Sequence, residues 1–388
     1  MKHYDVICFE GLQSATNHIY DVHLIARMLK KNGLNVAILD VYGIDSATVS
    51  EDIEILRPFT DVHKVPTSYS RMWILNQMLF QWKMHWYMKK VLKVILPMAS
   101  AFYCGSYHCN ISSLLLRQKK PCMFWGLRSS RIVPFYRMAN ESLWGRIRYA
   151  YLRHFCLKNH SNYILCSNDI IRDEFIKLGI PKWRLLHREE RCVEECVDNY
   201  THASDNLTFL TIGQLRPQKH VEKCIKAFKA SNLKALYNIV GRNTDDYEAY
   251  LKPLYEGVSS INRVSGFIEP HVFSQYFNAA HFVVFADEKA PSSVTNGTML
   301  EALIHHRPII APNYNPYAYY IRLYGIGIQY DYNSESSFVE ALRKAAFVGY
   351  KSFEKNIMRF LETISFSVSS SQFSDDVKKI INLNKEAR

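Results

Sequence analysis

"LTFLTIGQLRPQKHVEKCIKAFKASNLKALYNIVG", residues 207–241, reads as strand, turn, helix and strand. "LTFLTIG" and "ALYNIVG" are short apolar runs rich in branched and aromatic residues, which suit a buried pleated surface. "HVEKCIKAFKAS" between them has the length and periodicity of a helix. Strands that alternate with helices predict a parallel sheet with helices on both faces.

The same alternation extends in both directions. Downstream it continues with the helix "DYEAYLKPLYEG", the strand "NRVSGF", the helix "PHVFSQYFNAA" and the strand "HFVVFAD". The helix "GTMLEALIHH", the strands "RPIIAP" and "IGIQYD" and the helix "SESSFVEALRKAAF" complete that half. Near the N-terminus, "DVICFE", the helix "HIYDVHLIARMLKKNG" and "LNVAILDVY" repeat the unit, with Gly33 as the helix stop after a Lys-rich turn. "AFYCGSYH", "PCMFWG" and "SNYILCS" are further strands. The pattern lapses in "HREERCVEECVDNYTHASDN", residues 187–206, which is polar, charged and aperiodic. The expected organisation is an N-terminal domain over 1–190, a linker over 191–206 and a C-terminal domain over 207–365. A helical segment over 366–388 follows. The fold class is α/β, two Rossmann-like parallel-sheet domains facing a cleft, with ligands bound beyond the carboxyl ends of the strands.

Composition narrows the class. The chain has 388 residues, enough for two cores, with 48% hydrophobic and 22% charged residues as in ordinary globular proteins. Its nine cysteines are odd in number and without repeating spacing, which predicts core thiols in a reducing compartment. Cys192, Cys196 and His187 lack a second ligand pair, so no metal site is expected. "MKHYDVICFEG" does not read as a signal peptide, and no run reaches the ~18–20 uncharged apolar residues of a membrane span. A cytoplasmic protein is expected. The net charge of +12 is concentrated: residues 66–160 hold fifteen Lys or Arg against one acid, Glu141. Interleaved with Trp73, Trp82, Trp86 and Tyr87, these charges fit an anionic membrane surface or acidic substrate, a solvated basic face, or nucleic acid. No nucleic-acid-binding motif accompanies them, and an anionic membrane surface is the expected partner rather than nucleic acid.

Two stretches carry chemistry. In "SSVTNGTMLEALIHHRPIIAP", residues 292–312, a small and polar loop leads directly into a helix. A helix start offers unpaired backbone N–H groups and partial positive charge, small residues let a phosphate approach, and Ser or Thr hydroxyls add donors. Ser293, Thr295, Asn296, Gly297 and Thr298 supply this set, with Thr295 or Asn296 as the cap of a plain helix as the simpler alternative. Glu301, one turn on, suits a ribose diol. In "TIGQLRPQKH" Gly213 permits a tight turn, while Arg216 and Lys219 place two cations at the same sheet edge, able to clamp a diphosphate.

Together these stretches resemble the C-terminal domain of GT-B glycosyltransferases of the large retaining group 1, family 4-like, over about residues 207–350. The family's G-R-L-x-x-x-K-G turn, which contacts the donor diphosphate, corresponds to Gly213 through His220. The lysine is kept as Lys219, Gln214 replaces the arginine, and Arg216 takes its place. Of the family's two glutamates eight residues apart, Glu301 matches the second, which holds the ribose, and Ser293 stands at the first. The "TNG…RPIIAP" form is similar to transferases of bacterial surface polysaccharides. "VSGFI" matches the segment that reads the nucleobase and places Phe267 beside it. The N-terminal domain resembles the family only in layout: its first loop offers Gly11, Asn17 and His18, and later strand ends offer His108 or Trp125, Gly126 and Arg128.

The resemblance implies transfer of a sugar from a UDP- or GDP-sugar to a hydroxyl acceptor, a glycan or lipid-linked precursor, with retention. No cofactor or metal is expected, since cations and a helix start serve the leaving diphosphate and no Asp-x-Asp pair is present. His18 and His108 are the candidate acid–base groups, and the final helix is expected to return toward the N-terminal domain. The alternatives are a sugar-nucleotide 2-epimerase, for which residues 302–312 lack the extra carboxylates, and a non-catalytic membrane- or nucleic-acid-binding protein.

Overall fold

The computed structural model describes residues 2–9, 19–40, 52–57, 89–105, 119–124, 161–177, 179–188, 192–193, 206–289 and 296–386, with 143, 146 and 150. The chain divides into two compact units, residues 1–189 with 366–388, and residues 190–365.

The first unit is built on a parallel sheet of seven strands: β1 (Tyr4–Phe9), β2 (Val36–Leu39), β3 (Glu54–Leu56), β4 (Ala99–Cys104), β5 (Cys122–Phe124), β6 (Asn162–Cys166) and β7 (Leu185–His187). Their order is β3-β2-β1-β4-β5-β6-β7. Val6, Ile7, Cys8 and Phe9 of β1 are all fully buried, as in a strand covered on both faces. Helix α1 (Ile19–Lys31) ends where Gly33 takes a φ of 82° and its N–H closes on Lys30 O. The thiols of Cys8, Cys104, Cys122 and Cys166 are buried, and burial pushes that of Cys166 up to about 12. Helix α2 (Asp169–Lys177) follows β6. The terminal helix of this unit, Phe366–Glu386, packs on α1 and β7. It begins ahead of "SDDVKKIINLNKEA", through a serine-rich stretch whose helical character the composition hides. Ser374 is fully buried there and donates to Met28 O, and Lys31 Nζ lies 4.9 Å from the Phe366 ring centre.

The second unit is a six-stranded parallel sheet of order β10-β9-β8-β11-β12-β13. Its strands are β8 (Thr208–Ile212), β9 (Leu236–Gly241), β10 (Ile261–Ser265), β11 (Phe282–Val284), β12 (Ile309–Pro312) and β13 (Gly327–Tyr330). Alternate residues serve opposite faces. Phe209 and Val284 join one core with helices α3 (Val221–Ser231), α4 (Asp245–Tyr255) and the helix Glu335–Val348. Leu210 and Val283 join the other with α5 (Pro270–Ala279), α6 (Gly297–Ile304), α7 (Tyr317–Tyr324) and α8, here Glu354–Thr363. Helices α7 and α8 fall where the sequence pattern assigns no element. The eight residues of α7 include four tyrosines, and packing rather than propensity holds them: Tyr320 and Tyr324 meet the Phe360 ring of α8 edge-on. Within the expected linker, Val193 is buried and bridges to Ser365, its N–H bonded to Ile364 O.

Of the basic region, Lys89, Lys90 and Lys93 are exposed, whereas Lys120 donates to the carbonyls of Leu96 and Ala99 beside β4. Trp73, Trp82, Trp86 and Tyr87 lie outside the described residues. No helix among the described residues is long and apolar enough to cross a membrane.

One backbone approach is unusually close. Gly241, at φ 131°, lies against the Gly213 turn, and an added Cβ would fall 1.9 Å from Gly213 O. Gly213 N–H bonds to Val240 O and Leu215 N–H to Arg242 O, so the two strand ends are laced together. Gly241→Ala should therefore cost about 3 kcal/mol in urea denaturation of the full chain, from overlap plus backbone strain. Gly257→Ala, at φ 77° with open space around it, should cost only about 1 kcal/mol.

Candidate functional site

Strand β8 leads to α3 on one face of the second sheet, and its neighbour β11 leads to α6 on the other. This is the point where strand order reverses, and a crevice opens there beyond the carboxyl ends of the strands. A cavity of about 410 Å³ lies at that place. Arg216, Gln218 and Lys219 after β8 form one wall, and Asp287 and Glu288 after β11 form another. Asn296 and Gly297 at the start of α6, with Tyr314 through Tyr317 after β12, complete it.

The β8 wall is a glycine turn followed by a 3₁₀ turn, Pro217–Lys219. Gly213 has a φ of 112°, and a Cβ built on it would lie 3.5 Å from Thr298 Oγ1 and 3.6 Å from Lys219 Nζ. Both are ordinary contact distances, so what calls for glycine here is the positive φ, and the lysine and the start of α6 converge on this turn. Burial lowers the Lys219 pKa from its ordinary value; the Asp287 charge opposes that shift and Arg216 adds to it. Arg216 is exposed and donates to Gln214 Oε1 at 2.7 Å, so the glutamine steers the guanidinium. His220, left-handed at φ 44°, ends the turn; its Nδ1 lies 2.7 Å from Glu222 Oε1. Tyr247 OH donates to Glu222 Oε2 and accepts from Val221 N–H, which anchors the start of α3.

At the start of α6 the cap is Asn296. Its Oδ1 accepts from Thr298 N–H at 2.9 Å and more weakly from Met299 N–H at 3.4 Å. The helix start is therefore less open than small residues alone imply: two of its N–H groups already have an acceptor. The Asn296 amide nitrogen donates to Tyr317 OH at 2.6 Å, and Tyr317 OH donates to Asp287 Oδ2. Burial, then the Asp287 charge, raises the Tyr317 pKa well above its ordinary value, so the phenol remains a donor. The Tyr317 ring is 2% exposed and packs on Phe285 with centres 5.1 Å apart.

The structure thus brings together Gly213, Arg216, Lys219, Asn296, Gly297 and Thr298. Glu301 lies outside the cavity lining, its carboxylate 3.7 Å from Nε2 of His305, the residue that ends α6. Phe267 follows β10 and is 79% exposed, a ring beyond a strand end. Ser293, Thr295, His18, His108, Gly11, Asn17, Trp125, Gly126 and Arg128 lie outside the described residues. No group of three metal-ligating side chains occurs among the described residues. Asp287, Tyr314 and Tyr317 are lining residues that sequence patterns missed. Asp287 sits at the end of an evident strand, a usable signal; Tyr317 is in a helix that the sequence does not announce.

Residues 194–365 match the family model for glycosyl transferases group 1, a span that covers nearly all of the second unit. That span is a glycosyl transferases group 1 domain, and the two parallel-sheet units of the chain are those of the GT-B fold. No curated protein sequence matches it. Among solved structures it is similar to the apo form of the lipopolysaccharide outer core galactosyltransferase WaaB, at TM-score 0.62 and 14% identity over 98% of this chain and 99% of that one. The sucrose-phosphate synthase of Thermosynechococcus elongatus aligns at 0.69 and 11% over 98% and 100%. Anabaena HepE in complex with UDP aligns at 0.67 and 10% over 97% and 100%. At these identities the likeness is one of fold.

If Asn296, Tyr317 and Asp287 act as one chain, Asn296→Ala should cost about 1 kcal/mol and Tyr317→Phe about 1–2 kcal/mol of stability. The double variant should fall short of their sum by at least about 0.5 kcal/mol. Strict additivity in chemical denaturation would mean that the three groups are independent.

Proposed function

We propose that this glycosyltransferase uses a nucleoside diphosphate sugar, UDP- or GDP-linked, whose diphosphate lies between Lys219 and the start of α6. The observation that supports this most is the meeting of Lys219 Nζ, Thr298 Oγ1 and the bare Gly213 backbone at the sheet's crossover point. Departure of a diphosphate concentrates negative charge on its oxygens. Lys219, Arg216, Thr298 Oγ1 and the remaining helix N–H of Gly297 are groups suited to receive it. Anabaena HepE, solved with UDP, shares the fold. Phe267 is suited to cover the base, and Glu301, one turn into α6, to take the ribose diol.

In this proposal no metal or cofactor enters. Transfer proceeds with retention, and a leaving phosphate oxygen accepts the proton of the acceptor hydroxyl as the new glycosidic bond forms. The acceptor is a glycan precursor, lipid-linked and presented at an anionic membrane surface by the basic N-terminal region. The protein then works on the cytoplasmic side of that membrane.

Lys219→Ala and Arg216→Ala should each lower kcat/KM by about 2–4 kcal/mol of transition-state stabilisation. Glu301→Gln should weaken nucleotide binding with the fold intact. Stabilisation by UDP or GDP in a thermal shift, with none by an oligonucleotide, is the expected result; unchanged nucleotide affinity in all three variants places the site elsewhere.

The membrane half has its own test. Each basic residue near an anionic surface contributes about 1 kcal/mol, screened by salt. Lys89, Lys90 and Lys93, all exposed, should on replacement by glutamine reduce sedimentation with phosphatidylglycerol-containing vesicles and leave UDP or GDP binding unchanged. Equal binding to neutral and anionic vesicles rules out this surface.

A further inference from the structure

The cavity that gathers Arg216 and Lys219 also contains Asp287 and Glu288. Carboxylates are poor company for a diphosphate, because like charges in a partly dry cavity repel with little screening. Asp287 is nevertheless held in place. Its Oδ2 accepts from the buried phenol of Tyr317, which is itself fixed by the Asn296 amide. The neighbouring Glu288 N–H donates to Gln218 O at 2.6 Å, which ties this loop to the turn that carries Lys219. The other oxygen, Oδ1, has no hydrogen-bond donor among the described residues.

A fixed carboxylate here has three possible uses. As a counter-ion to Lys219 it is weak: the two form no direct ion pair, and burial outweighs the Asp287 charge in setting the lysine's lowered pKa. As a metal ligand it lacks company, since no group of three ligating side chains occurs among the described residues. As an acceptor for uncharged hydroxyls it is well suited, because a hydroxyl donating to a carboxylate makes a strong, charge-assisted bond. The same carboxylate repels an anionic group.

We infer that the acidic wall of this cavity holds the donor's sugar, with Asp287 accepting from its hydroxyls, and that the transferred sugar is uncharged rather than a uronate. This rests on the nucleotide-sugar site proposed above. Asp287 is then a specificity-determining residue: the cationic wall takes the diphosphate and the acidic wall selects what hangs from it.

The experiment uses the full chain and donor pairs that differ only at C6: UDP-glucose with UDP-glucuronate, UDP-galactose with UDP-galacturonate, and GDP-mannose with GDP-mannuronate, against free UDP and GDP. Calorimetric titration should show the neutral member of the accepted pair binding at least about tenfold more tightly than its uronate. Asp287→Asn keeps an acceptor for Tyr317 and should shrink that ratio several-fold while binding of the free nucleotide holds or strengthens. Nucleotide binding with a uronate that binds as well as the neutral sugar overturns this inference and leaves the nucleotide site standing. So does an Asp287→Asn effect equal on free nucleotide and nucleotide sugar, which marks Asp287 as only a prop for Lys219. If neither UDP nor GDP binds the unaltered protein, the nucleotide site and this inference fail together. The comparison on the unaltered protein decides the sugar class even where Asp287→Asn does not fold.

Discussion

A parallel sheet leaves room for a ligand at its strand ends only where adjacent strands send their chains to opposite faces. In the second unit that place lies between β8 and β11. Everything functional in the unit depends on how closely the two departing backbones can be brought together. The limit is set by glycine. Gly241 leaves no space for a Cβ against Gly213, and Gly213 takes a φ of 112° that strains any other residue. A side chain at Gly241 would displace the Gly213 turn, and that turn leads to Lys219.

Around that contact the site is made rigid by shared partners rather than by many independent bonds. One asparagine caps α6 with its oxygen and engages Tyr317 with its nitrogen, and the phenol passes the constraint to Asp287. The opposite wall has its own chain through His220, Glu222 and Tyr247 to the first N–H of α3. Both chains start at a helix N-terminus and end on a side chain of another element. Preorganisation of this kind matters for a group that must meet developing charge without rearranging.

The cavity also has an internal opposition of charge. Two cations and two carboxylates line one space, yet they come from different strands and stand on different walls. A uniformly basic pocket would hold any diphosphate. A divided one can hold the diphosphate and discriminate among the groups attached to it. The cost is visible at Lys219, whose burial works against its own charge.

Much of this was legible in the chain itself. Apolar strands alternating with periodic helices determine two parallel-sheet units, because covered strands must be apolar on both faces and helices on one. The turn from Gly213 to Lys219 and the loop into Gly297 are local in sequence, and local backbone chemistry was enough to mark both as anion-binding candidates. Helix α7 was not legible: a run of tyrosines has little helical preference, and its helix exists because Tyr317 and Tyr320 find buried partners from distant segments. Nor could the sequence pair Asn296 with Tyr317 and Tyr317 with Asp287, contacts that span 21 and 30 residues. Strand order decides which loops become neighbours, and strand order is a property of the packed sheet. The sequence alone therefore determined which residues could bind a diphosphate; only the tertiary structure decided that a carboxylate would share their cavity.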